Sequence, residues 1–367
     1  MMTDDVLQSK TIAFLRFPLI VGVVLIHSTF GKLMIGGEMQ VETGTYPVYE
    51  TASYFLSQIL SRIAVPLFFF FSGFLFFFKT EGFTSKVYWS KIKKRARTIL
   101  LPFLIWNLVV IGFYFCAQTF VPDLMSGRNK PVCEYNWSDW LWAFWDTSRI
   151  SPAIDGTMPT NYPLWFIRDL MIVILFSPLL YLLMKKLKHY FVLLLGVLWL
   201  VGWWVDWVGF SLDAFFFFSA GAYFGIYKKN FVQPMKPYLW GLTFVYLVIA
   251  GVELGFRGEP WMPYWHKAGI LIGMAFAISL CARFIENESW KASPFLAGSS
   301  FFIYAYHALP LSFVIKVLFK LFHPHSDMAL IGAYLLCPAI TILIGLGIYA
   351  LLQRFLPRFT AIITGGR

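Results

Sequence analysis

The chain has 367 residues, of which 59% are apolar and 20% aromatic, and only 13% carry a charged side chain. Soluble proteins carry about 25% charged residues, so this composition excludes an ordinary water-soluble globular protein. Lys and Arg outnumber Asp and Glu by 30 to 19. In a soluble protein this excess would suggest nucleic acid binding, but in a membrane protein positively charged cytoplasmic loops explain it.

Apolar stretches of membrane-spanning length recur along the whole chain and leave no polar stretch long enough for a separate soluble core. We therefore expect an all-α, polytopic membrane protein, with about ten transmembrane helices in one bundle and residues 1–367 as a single domain. The ten predicted spans are centred on residues 12–31, 55–78, 98–121, 163–184, 190–206, 212–227, 238–254, 268–285, 296–319 and 328–352.

Clusters of basic residues predict the orientation in the membrane. Residues 79–97 contain seven Lys or Arg, and smaller clusters lie at 185–188 and 228–229. With ten spans, all three clusters fall on the same side as both termini. Because loops rich in Lys and Arg stay in the cytoplasm, we expect both termini to be cytoplasmic.

The longest predicted external segment, residues 122–162, contains an aromatic run at positions 137–145, WSDWLWAFW. This pattern favours an amphipathic segment at the membrane interface, with a sugar-stacking platform as the alternative.

Neither cysteine nor histidine spacing indicates a metal site. The four cysteines form no CxxC pair, and His323 and His325 flank a proline without an evident third ligand. We expect no metal, no permanently bound cofactor and no nucleic acid partner.

Two ionisable residues in the first predicted span are the leading catalytic candidates. Arg16 and His27 are eleven positions apart, so in an α-helix they share one face, about 16.5 Å apart along the axis. A charge inside a bilayer costs roughly 2.5–3.5 kcal/mol, so such residues usually face a cavity or a partner. Each residue taken alone has an alternative explanation: Arg16 as an anchor whose charged end snorkels to the membrane surface, and His27 as a partner in a hydrogen bond between two helices. Their shared face favours a common site.

The second predicted span adds three candidate pocket residues, Arg62, Ser72 and Gly73. Arg62 is expected near the external end, one turn before Pro66, which frees backbone carbonyl groups. Ser72 and Gly73 are expected deeper in the span, where glycine permits the close approach of a ligand or of a neighbouring helix. A packing role is as good an explanation of this pair as a pocket role.

The second and sixth predicted spans contain similar segments, FFFFSGF at residues 68–74 and FFFFSAG at residues 215–221. An internal duplication is one explanation, although a phenylalanine-rich chain produces such matches easily. Gly221 and Gly225 form a GxxxG pair, which is typical of close helix packing.

Polar residues in the fourth and ninth predicted spans complete the candidates. Arg168 is adjacent to Asp169, and this pair either lines a pocket or neutralises itself at the membrane surface. His307 follows Tyr304 by three positions. This second intramembrane histidine is either a pocket residue or a packing residue with satisfied hydrogen bonds.

Five motifs follow one another along the chain. They are Arg16-x10-His27, RIAVPLFFFFSGFL at residues 62–75, Lys93-Lys94-Arg95-Ala96-Arg97 leading to LPFLIW at residues 101–106, Pro163-Leu164-Trp165-Phe166, and SFFIYAYH at residues 300–307. Together they resemble the integral membrane acyltransferases called acyltransferase family 3, and the resemblance covers nearly the whole chain. Phe74 stands where that family often has tyrosine.

The resemblance implies a bacterial inner-membrane enzyme that transfers an acyl group, usually acetyl, from cytoplasmic acyl-coenzyme A to a hydroxyl of an extracytoplasmic or lipid-linked glycan. Arg16 and His27 would be its essential pair, with Arg62 in the same pocket. Many relatives carry a soluble esterase-like domain at the carboxyl end, which we do not expect here. The remaining candidate residues are Ser72, Gly73, Trp165, Arg168, Tyr304 and His307 in a donor or acceptor pocket, and the donor-facing basic residues Lys93, Lys94, Arg95 and Arg97.

Sequence leaves the role of His27 open between a general base and an acyl carrier. Two other classes of protein also remain open. A transporter or flippase would line its path with the same Arg and His residues, whereas a structural or sensing membrane protein would tolerate their replacement. Transfer of label from acyl-coenzyme A to an acceptor distinguishes the enzyme from both.

Overall fold

The computed structural model describes residues 4–31, 33–35, 38–121, 130–151 and 156–366. The amino-terminal half contains the helices α1 (Asp4–Ile26), α2 (Pro47–Tyr54), α3 (Ala64–Phe77), α4 (Ser85–Arg95), α5 (Leu101–Phe120), α6 (Trp137–Trp145), α7 (Trp165–Leu175) and α8 (Ser177–Leu187). The carboxyl-terminal half contains α9 (His189–Val201), α10 (Leu212–Ile226), α11 (Leu239–Gly255), α12 (Met262–Glu286), α13 (Pro294–Tyr306), α14 (Ala308–Phe322), α15 (Asp327–Phe355) and α16 (Pro357–Ile363).

Two short strands, β1 (Leu33–Ile35) and β2 (Glu38–Val41), pair antiparallel after α1. The predicted first span extends to residue 31, but α1 ends at Ile26 and the chain turns there. His27 therefore lies just beyond the last helical residue, where its backbone N–H still bonds the carbonyl of Val24 at 3.2 Å. The helix end thus fixes the position of this histidine.

Helices of membrane-spanning length confirm an all-α, polytopic architecture. Within the described residues, six helices are long and apolar enough to cross a bilayer, or up to eight if each of two bent pairs is one span. The bent pairs are α7 with α8, at 61°, and α13 with α14, at 72°. The six continuous spans are Asp5–Ile26, Pro47–Phe77, Ser85–Phe120, Lys236–Gly255, Met262–Glu286 and Asp327–Phe355. Short π- and 3-10-helical turns join α2 to α3 and α4 to α5 within the second and third of them.

The predicted count of ten spans is not confirmed. The predicted fifth and sixth spans fold as α9, with 13 residues, and α10, with 15 residues. At a rise of 1.5 Å per residue these helices are roughly 20 Å and 22 Å long, shorter than the ~30 Å of a bilayer core. Their composition is as apolar as that of the long helices, so sequence alone did not reveal where each helix ends.

The helices α3 and α10 approach each other more closely than ordinary side chains allow. A Cβ atom added at Gly73 would overlap the carbonyl oxygen of Phe218, and one added at Gly221 would overlap that of Phe70. Gly225, one turn further along α10, faces α3 in the same way. The close packing predicted from the GxxxG pair is confirmed, and the two similar phenylalanine-rich segments are packing partners.

The aromatic run at residues 137–145 forms the short helix α6. Asn136 caps it by accepting a hydrogen bond from the backbone N–H of Asp139, whose carboxylate in turn accepts one from the backbone of Asn136. Ala143 is buried whereas Trp137 is 78% exposed, so the helix is amphipathic, as expected. Lys130 donates to the Asp139 carboxylate at 2.7 Å and holds its pKa below the usual value. The adjacent residues 122–129 and 152–155 of the same predicted segment lie outside the described residues.

Replacing Gly221 by alanine is expected to destabilise the bundle. The added methyl would force α10 away from the α3 backbone, and overpacking of this kind costs roughly 1–3 kcal/mol. Gly241 on α11 is the matched control, because a Cβ there meets nothing within 4 Å. In thermal unfolding of the detergent-purified variants, the midpoint of Gly221→Ala should be lower than that of the unsubstituted protein, and the midpoint of Gly241→Ala should be unchanged. Equal midpoints would contradict the close contact.

Candidate active site

A first cavity, which we call the Arg16 cavity, lies between α1, α3, α7 and α13 on the side of the protein that carries the start of α1. Its volume is about 170 Å³. From α1 it is lined by Ile12, Arg16, Ile20 and Val23. These residues are spaced by three or four positions and therefore share one face of α1. His27 follows Val23 by four positions but lies beyond the end of α1 and outside the lining of this cavity, so the shared face of Arg16 and His27 stays a prediction.

Four basic residues around the end of α4 were predicted to face the donor, and the structure separates them. Arg95 lines the Arg16 cavity, with its guanidinium carbon 5.9 Å from the ring centre of Phe76. Lys93, Lys94 and Arg97 are exposed. No acidic residue is among the described residues that line this cavity, so its charged groups are two guanidinium ions.

Of the other predicted pocket residues, Ser72 and Tyr304 also line the Arg16 cavity. Ser72 directly precedes Gly73 in α3, yet the two residues lie on different faces of the helix. Gly73 packs against the backbone of α10 and has no room for a ligand. The pocket role expected for Gly73 is therefore corrected to a packing role.

A second cavity, the Arg62 cavity, lies at the opposite end of α1. Its volume is about 450 Å³. It contains Arg62 and Trp165, two predicted pocket residues, together with Ile26 at the end of α1. The other walls come from the segment between α9 and α10 and from His266 and Lys267 on α12.

The two cavities approach each other at one level of the bundle. Val65 on α3 lines both of them. On α1, Val23 lines the Arg16 cavity and Ile26 lines the Arg62 cavity, so His27 follows directly after the point where one cavity gives way to the other. Arg62 is close enough to interact electrostatically with His27.

The His27 ring has two aromatic neighbours. The ring of His307 is stacked on it at a centroid distance of 5.4 Å and an angle of 27°. The ring of Tyr162 meets it edge to face at 5.0 Å and 76°. The bundle thus brings together the two intramembrane histidines that the sequence places 280 positions apart.

The tautomer of His307 follows from its hydrogen bond. His307 lies at the bend between α13 and α14 and is fully buried. Its Nδ1 is 2.7 Å from the carbonyl oxygen of Tyr304, and because a carbonyl only accepts, Nδ1 must carry the proton. In the neutral ring Nε2 then has a free lone pair, and this atom is buried with no hydrogen-bond partner among the described residues.

A short segment before α7 holds Tyr162 against His27. The backbone N–H of Asn161 donates to the side chain of Asn107 at 3.0 Å, and its side-chain amide donates to the carbonyl of Ala305 at 2.9 Å. The Tyr304 hydroxyl donates to the carbonyl of Pro163. Three hydrogen bonds therefore fix the residues on both sides of Tyr162. Sequence reasoning missed Tyr162, because no spacing relates it to α1.

Arg168 has a structural role instead of the expected pocket role. Its guanidinium bonds Asp169 at 2.9 Å and the carbonyls of Trp145 and Thr157 at 2.8 Å and 2.7 Å. Both side chains of the Arg168–Asp169 pair are 4% exposed. Arg168 therefore clamps the segment after α6 onto α7, and the self-neutralising interpretation of the pair is the one that fits.

Replacing Arg168 by alanine should lower the stability strongly, because it leaves the Asp169 carboxylate buried and unpaired. Breaking a buried pair costs roughly 3–5 kcal/mol. The control is Arg149→Ala, which removes a side chain that is 66% exposed and 3.8 Å from Asp146, a surface pair worth less than about 1 kcal/mol. The midpoint of thermal unfolding measures both. A midpoint for Arg168→Ala as high as that of the unsubstituted protein would contradict the clamp.

Comparison with known proteins agrees with the motifs. A family model described as an acyltransferase domain matches residues 10–352. The chain is 28% identical, over 99% of its own length and 94% of the relative's, to the protein of Rhizobium meliloti (strain 1021) named succinoglycan biosynthesis protein ExoH. No solved structure matches significantly. The chain therefore belongs to acyltransferase family 3 and is a membrane acyltransferase.

Proposed function

We propose that this protein is an O-acyltransferase that moves an acyl group, with acetyl as the expected one, from acyl-coenzyme A to a hydroxyl of a glycan on the other side of the membrane. The observation that carries the proposal is the pair of cavities of different chemistry that meet at Val65, the second of which is also lined by Ile26, the residue before His27. The name of the Rhizobium meliloti relative, which refers to the biosynthesis of succinoglycan, supports a glycan as the acceptor.

The Arg16 cavity suits the donor. Coenzyme A is a polyanion, and the charged lining residues of this cavity are Arg16 and Arg95, without an acidic neighbour in the lining. A guanidinium binds phosphate oxygens through planar, paired hydrogen bonds. Along α1, Arg16 and His27 are separated by about 16.5 Å, which is comparable with an extended pantetheine arm. A donor held at Arg16 would thus present its thioester near His27.

The sidedness is part of the proposal. The basic helix α4 and the amino terminus would face the cytoplasm of a bacterial cell, because the densest run of Lys and Arg follows the positive-inside rule. Acyl-coenzyme A is cytoplasmic, and the exposed Lys93, Lys94 and Arg97 beside the cavity would attract it electrostatically. The Arg62 cavity would then open toward the outer side, where the acceptor is found.

Two reaction routes are compatible with His27. As a general base it takes the proton from the acceptor hydroxyl, whose oxygen attacks the thioester carbonyl while coenzyme A leaves as the thiolate and is protonated. As an acyl carrier, its ring nitrogen displaces coenzyme A, and the hydroxyl then attacks the acyl-imidazole. In either route His307 is positioned to accept a proton beside His27. Its Nε2 has no hydrogen-bond partner among the described residues, and its ring stacks on that of His27.

The first test is the replacement of His27 by glutamine. Glutamine keeps a hydrogen-bonding group but cannot exchange a proton at neutral pH, and loss of a general base lowers the rate by roughly 10²–10⁴-fold. We expect purified His27→Gln protein to be folded and to transfer radiolabelled acetyl at least about 100-fold more slowly than the unsubstituted protein.

The control is His189→Gln, an exposed residue at the start of α9, which should transfer normally. Near-normal transfer by His27→Gln would show that His27 acts structurally. The transporter or flippase class would instead be supported if an unmodified glycan crossed the membrane of vesicles that contain the unsubstituted protein, without acyl transfer.

A second test compares two neighbouring basic residues. Arg95 lines the Arg16 cavity, whereas Lys94 is exposed. A charge-assisted hydrogen bond is worth roughly 1.5–3 kcal/mol, so Arg95→Ala should raise the KM for acetyl-coenzyme A by about 10-fold or more with little change in kcat. Lys94→Ala should change this KM less than about threefold, in accordance with a screened surface charge. Equal effects of the two substitutions would mean that α4 attracts the donor only through its overall charge.

A further inference from the structure

The Arg62 cavity contains more aromatic and charged groups than the predicted pocket residues account for. Four tryptophans and five ionisable side chains line it. The tryptophans are Trp165, Trp199, Trp204 and Trp207, and the ionisable residues are Arg62, Asp206, Asp213, His266 and Lys267. Apart from Arg62 and Trp165, none of these residues belongs to the motifs that identify the family.

Two of the tryptophans are fixed by their indole N–H groups. Trp199 donates to the carboxylate of Asp213 at 2.6 Å, and Trp204 donates to the carbonyl of Phe210 at 2.7 Å. The ammonium of Lys267 bonds the carbonyl of Trp199 at 2.7 Å and lies 5.6 Å from its ring centre. Because these rings are held before any ligand binds, they lose little conformational freedom on binding.

The polar wall on α12 is also preorganised. His266 bonds the carboxylate of Glu253 through Nδ1 at 2.7 Å, and the hydroxyl of Tyr54 donates to the same carboxylate oxygen at 3.0 Å. Glu253 is buried, so this carboxylate is anchored from two sides. The His266 ring is thereby held in one orientation at the edge of the cavity.

This combination fits a sugar ring better than a lipid chain. A pyranose has C–H groups on its faces, which pack on aromatic rings, and hydroxyl groups on its rim, which exchange hydrogen bonds with charged side chains. An acyl chain would offer no hydrogen bond to the charged side chains of Asp206 and Arg62 while displacing water from them, which is costly. The volume of about 450 Å³ lies in the range of small-molecule sites and accommodates roughly two hexose rings.

We infer that the Arg62 cavity is a saccharide-binding site, in which a pyranose stacks on Trp204 and bonds Asp206 through its hydroxyls. The inference rests on the proposed function only in one respect, that a hydroxyl of the bound sugar then lies near Arg62 and His27. Binding of the sugar requires no donor and no transfer, so the two proposals fail in different experiments.

The test measures binding by calorimetry with full-length protein in nanodiscs, without acyl-coenzyme A. The probes are oligosaccharides from deacylated succinoglycan, and cellotetraose. Loss of an aromatic stacking partner is expected to weaken binding about tenfold in Trp204→Ala, whereas Trp204→Phe should stay within about threefold. The matched control is Trp240→Ala on α11, since Trp240 is 81% exposed and outside the cavity lining.

Asp206→Ala provides a variant that does not disturb the core, because Asp206 is exposed. It should also weaken binding about tenfold, in line with loss of a charge-assisted hydrogen bond, at an unchanged midpoint of thermal unfolding. Failure of the unsubstituted protein to bind either probe would overturn the inference, as would binding by Asp206→Ala and Trp204→Ala that equals the unsubstituted protein. Binding with the expected losses but without acyl transfer would support the saccharide site and reject the proposed function.

Discussion

The cost of placing a guanidinium inside a low-dielectric bundle governs the arrangement of this protein. Three arginines in the predicted spans meet that cost in two ways. Arg168 has its charge balanced by Asp169 and its remaining donors bound to carbonyl groups, so it stabilises the fold. Arg16 and Arg62 instead face separate cavities, where a charge remains available to a ligand. The same residue type therefore clamps one region of the protein and marks the two ends of the candidate site.

The close contact between α3 and α10 determines what the other face of α3 can do. Gly73 faces the α10 backbone, while Ser72 and Val65 face cavities. Since backbone contact with α10 holds α3 firmly, its cavity-lining side chains keep a fixed position relative to α1 and His27. A rigid helix is a better support for a reacting group than a mobile loop.

Periodicity was sufficient to predict the helical regions and the packing of Gly221. It failed where the outcome depends on three-dimensional neighbours. The 72° bend at His307 and the contact between Tyr162 and His27 join segments far apart in sequence, and no local pattern encodes them. The pocket role expected for Gly73 failed for a related reason, because a helical face is identified only once the neighbouring helix is known. The tryptophans of the Arg62 cavity resemble an ordinary interfacial belt until α12 is placed opposite them.

Among the described residues Val65 alone lines both cavities, and this position bears on the permeability of the membrane. A cell stores energy as an ion gradient, and a charge that crosses a membrane held at 100 mV releases about 2.3 kcal/mol. Where water-filled cavities enter a bilayer from both sides, the insulating layer is thinner than the ~30 Å of hydrocarbon. In this protein the two cavities come together at Val65 on α3. The branched, apolar side chain of Val65 therefore stands where a water-filled path between the two cavities would have to pass.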